Sequence, residues 1–129
     1  MKSYMFTWIL RLVVAGLFLQ TLFFKFTAAP DSIYIFSKLG AEPYGRIATG
    51  ILELLAAVLI LLPRTVLKGA LLSIGLISGA ILSHIFILGI EIQNDGGALF
   101  ILALIIFVAS SVIVYQYRSQ LSNLFKLKS

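Results

Sequence analysis

Apolar residues fall along this chain in four long runs, and the interruptions between them are short and polar. The first run, 5–27, is broken only by Arg11, Gln20 and Lys25. The others cover about 43–62, 69–90 and 98–117. A helix needs roughly 20 mainly apolar residues to cross a bilayer, and each run supplies about that many. The pattern predicts an all-α protein: an integral membrane four-helix transmembrane bundle forming one transmembrane domain over residues 1–129.

The breaks agree with this reading. Ala28-Ala29-Pro30-Asp31 reads as a turn, because Pro30 disfavours helix at the residue before it and Asp31 and Ser32 offer capping oxygens. Ile33 to Glu42 is too short and too mixed to span, and suits an interfacial loop or short helix with Tyr34 and Phe36 at headgroup level. Pro43 opens the second run and Pro63 closes it. The short basic loop Pro63 to Lys68 makes the second and third helices antiparallel neighbours. The third run contains Gly75 and Gly79, a GxxxG step that predicts a close helix contact within the chain or between copies. Glu91 to Gly97 (EIQNDGG) is a strong turn signal.

Composition strengthens the membrane reading. Of 129 residues, 60% are hydrophobic and 12% charged, more apolar surface than a soluble domain of this size can hide. The net charge of +5 does not mark a nucleic-acid binder, because the basic residues cap the apolar runs instead of forming a continuous stripe. Lys2, Arg64, Lys68, Arg118, Lys126 and Lys128 fall on one side of the predicted membrane. Asp31, Glu42, Glu91 and Asp95 fall on the other, with Lys38 as the loop cation there. The positive-inside rule then predicts cytoplasmic termini, N-in and C-in. Cysteine is absent, which removes disulfide exchange and thiolate metal sites. The N-terminal run reads as a retained helix and not a cleaved signal, since Arg11 interrupts it and Lys25 stands where a small-residue cleavage site would be.

Charged groups inside the runs ask for a partner or a task, since each costs at least ~2.5–3.5 kcal/mol at the bilayer centre. Arg11 lies close enough to its helix end to snorkel to the headgroups. Glu53 lies near the middle of the second run and is too short to reach water. Arg46, seven residues earlier, shares its helix face and predicts an Arg-to-Glu polar seam. With antiparallel helices side by side, Lys25, Arg46, Glu53 and His84 all fall in the outer half of the membrane. They are the candidates for ligand binding or proton exchange. Glu91, Asn94 and Asp95 would rim the mouth. Gln20 points away from Lys25 on the helical wheel. No metal is expected: one histidine cannot form a bis-histidine haem site, and no ligand spacing is recognisable. Hydrolase motifs, phosphate loops and nucleotide fingerprints are also missing.

The stretches LRLVVAGLFLQTLFFKF, GRIATGILELLAAVLILLPR and GAILSHIFILGI, with Gly16, Lys25, Gly50, Glu53 and His84, resemble the DoxX and DoxX-like membrane proteins over almost the whole chain. The resemblance implies a four-helix fold in a bacterial inner (plasma) membrane. It also implies a link to membrane redox chemistry, since named family members include small subunits of thiosulfate:quinone oxidoreductase and quinol-oxidase systems. It assigns no catalytic role. The expectation is an accessory subunit, not a stand-alone enzyme, that holds a quinone-like lipid or another polar-headed amphiphile. Its partners would be the bilayer and either a membrane oxidoreductase or further copies of itself. Two rivals stand beside it: a small-solute transporter or channel-like carrier, and a structural partner with no ligand.

Overall fold

The computed structural model describes residues 2–92 and 95–120, with side chains from Met5 onward. The helices are α1 (Lys2–Phe26), α2 (Pro30–Lys38), α3 (Tyr44–Leu61), α4 (Val66–Ser83) and α5 (Ala98–Gln116). One π-helical turn, His84–Leu88, prolongs α4. No strand occurs among the described residues.

Four segments are long and apolar enough to cross a membrane: Met5–Phe26, Tyr44–Leu61, Val66–Leu88 and Ala98–Gln116. The shortest has 18 residues. At ~1.5 Å per residue that is about 27 Å, close to the ~30 Å of a hydrocarbon core. No more than a third of any span is buried inside the protein. The outer surface is instead covered with large apolar side chains, among them Ile9, Leu12, Phe23, Ile51, Val58, Ile101 and Val108. Water does not tolerate an apolar belt of that size, whereas acyl chains match it. The chain is a multi-pass integral membrane protein.

The spanning helices form a closed ring in which α1 touches α3 and α5, and α4 touches α3 and α5. Neighbours run antiparallel. Arg11 near the start of α1 meets Ile60 and Leu61 at the end of α3, and Thr7 donates to Gln116 Oε1 at the end of α5 at 2.7 Å. The core is made of Val14, Ala15 and Phe18 from α1, Ala56, Ala57 and Ile60 from α3, Val66, Ala70 and Ile77 from α4, and Ala103, Ile106, Ala109 and Ile113 from α5. Alanine recurs because apolar tails give no hydrophobic drive between helices, so close van der Waals contact through small residues must hold them together.

A tight backbone approach lies at a different glycine from those of the GxxxG pattern. A Cβ on Gly69 would sit 2.6 Å from the Ile60 backbone nitrogen, so α3 and α4 nearly touch there. Gly50 plays the same part beneath the Phe26 ring, where a Cβ would fall 2.7 Å from the ring edge. Gly75 and Gly79, by contrast, are exposed and have no atom within 4 Å of a built Cβ. They are not a helix contact within the chain. Spacing alone puts two glycines on one face of α4, but does not decide whether a neighbour lies against that face.

Arg11 also departs from expectation. It is buried instead of reaching the headgroups. Its guanidinium donates to the Ile60 and Leu61 carbonyls at 2.7 and 2.9 Å and stacks 3.7 Å from the Trp8 ring centre. The last carbonyls of a helix have no intrahelical donor, and they carry the negative end of its dipole. Pro63 stops α3 at this point, so the carbonyls stay free and a cation from α1 fills the vacancy.

Helix α2 is short, begins at a proline suited to a first turn, and has Asp31 near its start and Lys38 at its end, both favourable to the dipole. Ser32, Ile35, Phe36 and Leu39 recur at three- and four-residue intervals, which puts them on one side of it. That side faces a space between the spanning helices.

Candidate functional site

The space is a cavity of about 400 Å³ bounded by all four spanning helices and by α2. Most of its wall is aliphatic, with Leu76, Ile77, Leu88, Leu99, Leu102 and Ile106 prominent. The polar positions on it are Thr21 and Lys25 from α1, Ser32 from α2, Thr49 and Glu53 from α3, and Ser83 and His84 at the end of α4. Gly75 and Gly79 belong to the same wall and are exposed. At the far end of α4, Leu59 and Ile60 press on Gly69.

Glu53 is buried, and its carboxylate is taken up by α1. Lys25 Nζ lies 3.2 Å from Oε1 and 3.2 Å from Oε2, and Thr21 Oγ1 lies 3.3 Å from Oε1. Thr21 and Lys25 are four residues apart, so α1 presents hydroxyl and ammonium together. Inside a membrane such a pair neutralises two charges that neither helix could bury alone. It also places a donor and an acceptor on the wall of an apolar space.

His84 sits where α4 gives way to its π-helical turn. Its ring is buried, packs edge-on against Phe100 at 5.4 Å, and contacts the Gly89 carbonyl through Nδ1 at 2.9 Å. The Gly89 N–H in turn donates to the His84 carbonyl at 2.7 Å, closing the i to i+5 turn. Single π turns of this kind recur at functional sites. Gly89 has φ 83° and ψ 171°, a conformation open essentially to glycine alone.

Lys25, Glu53 and His84, three of the four residues proposed from sequence, thus line one cavity. Glu53 hydrogen-bonds Lys25 and Thr21, while His84 bonds Gly89. Arg46 does not extend toward Glu53. It pairs with Glu42 one turn away, Nε to Oε1 at 2.9 Å, and its Nη1 donates to the Lys25 carbonyl. The predicted Arg-to-Glu seam is therefore two separate clusters, because a carboxylate four residues off is within easier reach than one two turns away. Arg46 secures the end of α1 and fixes the backbone of Lys25.

Of the residues expected at the mouth, Glu91 and Asp95 stand apart from the cavity wall. Glu91 is exposed on the loop after the π turn, and Asn94 lies outside the described residues. Asp95 is occupied by the backbone: Oδ1 accepts from Ile92 N at 3.0 Å and Gly97 N at 2.8 Å, and Oδ2 accepts from Leu99 N at 3.2 Å. What burial it has raises its pKa, but these backbone N–H groups outweigh that and hold the carboxyl below its ordinary value. Its task is to start α5.

The sequence did not mark Thr21, Thr49 or Gly89, and it offered Ser32 only as a capping oxygen, a bond α2 does not make. Thr21 had a readable signal, its four-residue spacing from Lys25. The others carry none: serine and threonine are cheap to bury in a membrane helix, and the role of Gly89 rests on a π turn that no residue pattern announces.

No curated protein and no solved structure matches the chain. A family model, described as the DoxX-like family, matches residues 9–110, a stretch that contains α2, α3, the π turn and every residue named above as lining the cavity. That match covers well over half of the sequence, and the protein belongs to the DoxX-like family.

Proposed function

We propose that the protein is a small membrane subunit that holds a lipid-soluble, polar-headed molecule of the quinone class in this cavity, in the service of a membrane oxidoreductase. The observation that carries the reading is the Lys25–Glu53 pair on an otherwise aliphatic wall. Ligand sites are mostly apolar with a few placed polar groups, and an intramembrane ion pair is a functional site by default. The aliphatic residues would take the tail. Lys25 would donate to the head, and Glu53 would accept from it or exchange a proton with it. Family membership supports the redox link, and the Lys and Arg asymmetry supports cytoplasmic termini with the cavity in the outer half of a bacterial plasma membrane.

The test is titration of the detergent-purified protein with a short-tailed benzoquinone and with its quinol, followed by equilibrium dialysis. Saturable one-site binding that Glu53→Gln weakens at least tenfold is the expected result. If neither form binds saturably, the reading is wrong. Solute flux through the protein in liposomes would favour the carrier alternative instead.

A further inference from the structure

A carbonyl oxygen can only accept a hydrogen bond. The 2.9 Å contact between His84 Nδ1 and the Gly89 carbonyl therefore requires the proton to be on Nδ1. A neutral imidazole has one ring proton, so Nε2 is left as a lone-pair acceptor on the opposite side of the ring. No residue of the described protein fills it. The atom is not sealed in either, since the described residues contain one fully covered, unpartnered polar side-chain atom and it is Ser110 Oγ. His84 is 5% exposed and lines the cavity, so that space is where the free nitrogen finds its partner.

The backbone enforces this tautomer. The π turn brings Gly89 back over His84, and the φ of 83° at Gly89 aims its carbonyl at the ring. Phe100 packs edge-on against the imidazole, interplanar angle 68°, which opposes a ring flip that would exchange the two nitrogens. Elsewhere on the wall, the Lys25 ammonium is held by Glu53.

We infer that the cavity selects a ligand whose head carries a hydrogen-bond donor, a phenolic or alcoholic O–H, and that His84 Nε2 is the atom that receives it. This rests on the reading of the cavity as an amphiphile site. A head bearing only acceptors, such as an ether or a carbonyl, sets lone pair against lone pair at His84, so of the two redox forms of a quinone-class ligand this atom takes the quinol. An O–H head satisfies Nε2, while its oxygen remains free to accept from a second donor.

Two measurements test this on the full chain in detergent. The first uses the fact that His84 is the one histidine in the sequence, so ¹⁵N-histidine labelling gives two unambiguous ring resonances. They should report a protonated Nδ1 and an unprotonated Nε2, and Gly89→Ala should shift that balance. An Nε2–H tautomer or a doubly protonated ring in the wild-type protein overturns the inference. The second compares a 4-alkylphenol with its methyl ether, a pair differing in the donor. The phenol should bind about tenfold more tightly, the size of one neutral hydrogen bond, and should move the Nε2 resonance. His84→Phe keeps an aromatic ring and should erase the difference. Equal binding of the pair to the wild-type protein sinks the donor rule and leaves the amphiphile reading standing. Binding of neither compound removes both.

Discussion

Lys25 on α1 and Glu53 on α3 form an ion pair across two helices, with the ammonium 3.2 Å from each carboxylate oxygen. Both side chains are largely buried, so the pair behaves as an interior one. Removing either charge leaves the other stranded, and by analogy with buried pairs Lys25→Met or Glu53→Leu should each destabilise by about 3–5 kcal/mol. The double variant Lys25→Met/Glu53→Leu replaces the pair by apolar side chains and should recover most of that loss. Unfolding of the four proteins in mixed detergent measures the coupling. Additive single effects would mean that the two groups do not depend on each other.

Arg11 gives a second test. Arg11→Met keeps an apolar stem against Trp8 but frees the Ile60 and Leu61 carbonyls. Hydrogen bonds from charged donors suggest a loss of roughly 1.5–3 kcal/mol. Arg11→Lys, a single ammonium in place of the fork, should recover part of it. A side chain that merely snorkelled would leave the unfolding midpoint unchanged in both.

The glycines should divide into two classes. Gly69→Ala drives a methyl into the Ile60 backbone and should destabilise, whereas Gly75→Ala and Gly79→Ala meet open space and should be neutral or stabilising by up to ~1 kcal/mol through helix propensity. Thermal melts in one detergent decide this. Destabilisation at Gly75 or Gly79 together with a smaller particle on size exclusion would point to a contact between copies at that face.

Asp95 predicts a dependence on pH. Its carboxyl is held below its ordinary value by backbone N–H groups, so the folded protein favours the ionised form. The stabilisation is complete above the unfolded carboxyl's titration range and is lost as pH falls through the lower folded value. Asp95→Ala should lower stability at neutral pH, and the gap to wild type should narrow on acidification. A gap that stays constant from neutral to acid pH would show that ionisation at this position does not matter.

Orientation is open to cysteine labelling, because the chain has no native cysteine. Ser37 on α2 and Ser119 beyond α5 are both exposed. With cytoplasmic termini, an impermeant maleimide should label Ser37→Cys in intact cells, and Ser119→Cys only after lysis. The reverse pattern would invert the topology.

The sequence alone determined the spans and the class of fold, because hydropathy over about 20 residues is a local property and a bilayer permits few solutions to backbone hydrogen bonding. It also singled out Lys25, Glu53 and His84, since an ionisable group in an apolar run stands out wherever the run packs. Which side chains meet depended on the packing of the helices. Arg46 turned to Glu42 and Glu53 to Lys25, and Arg11 found the end of α3, because helix rotation and the small-residue contact at Gly69 set which faces oppose. The exposed Gly75 and Gly79 repeat a contact motif without a contact inside the chain, for the same reason. The π turn that holds His84 by Gly89 was least visible of all: it depends on one left-handed residue and a five-residue hydrogen bond, which hydropathy does not encode.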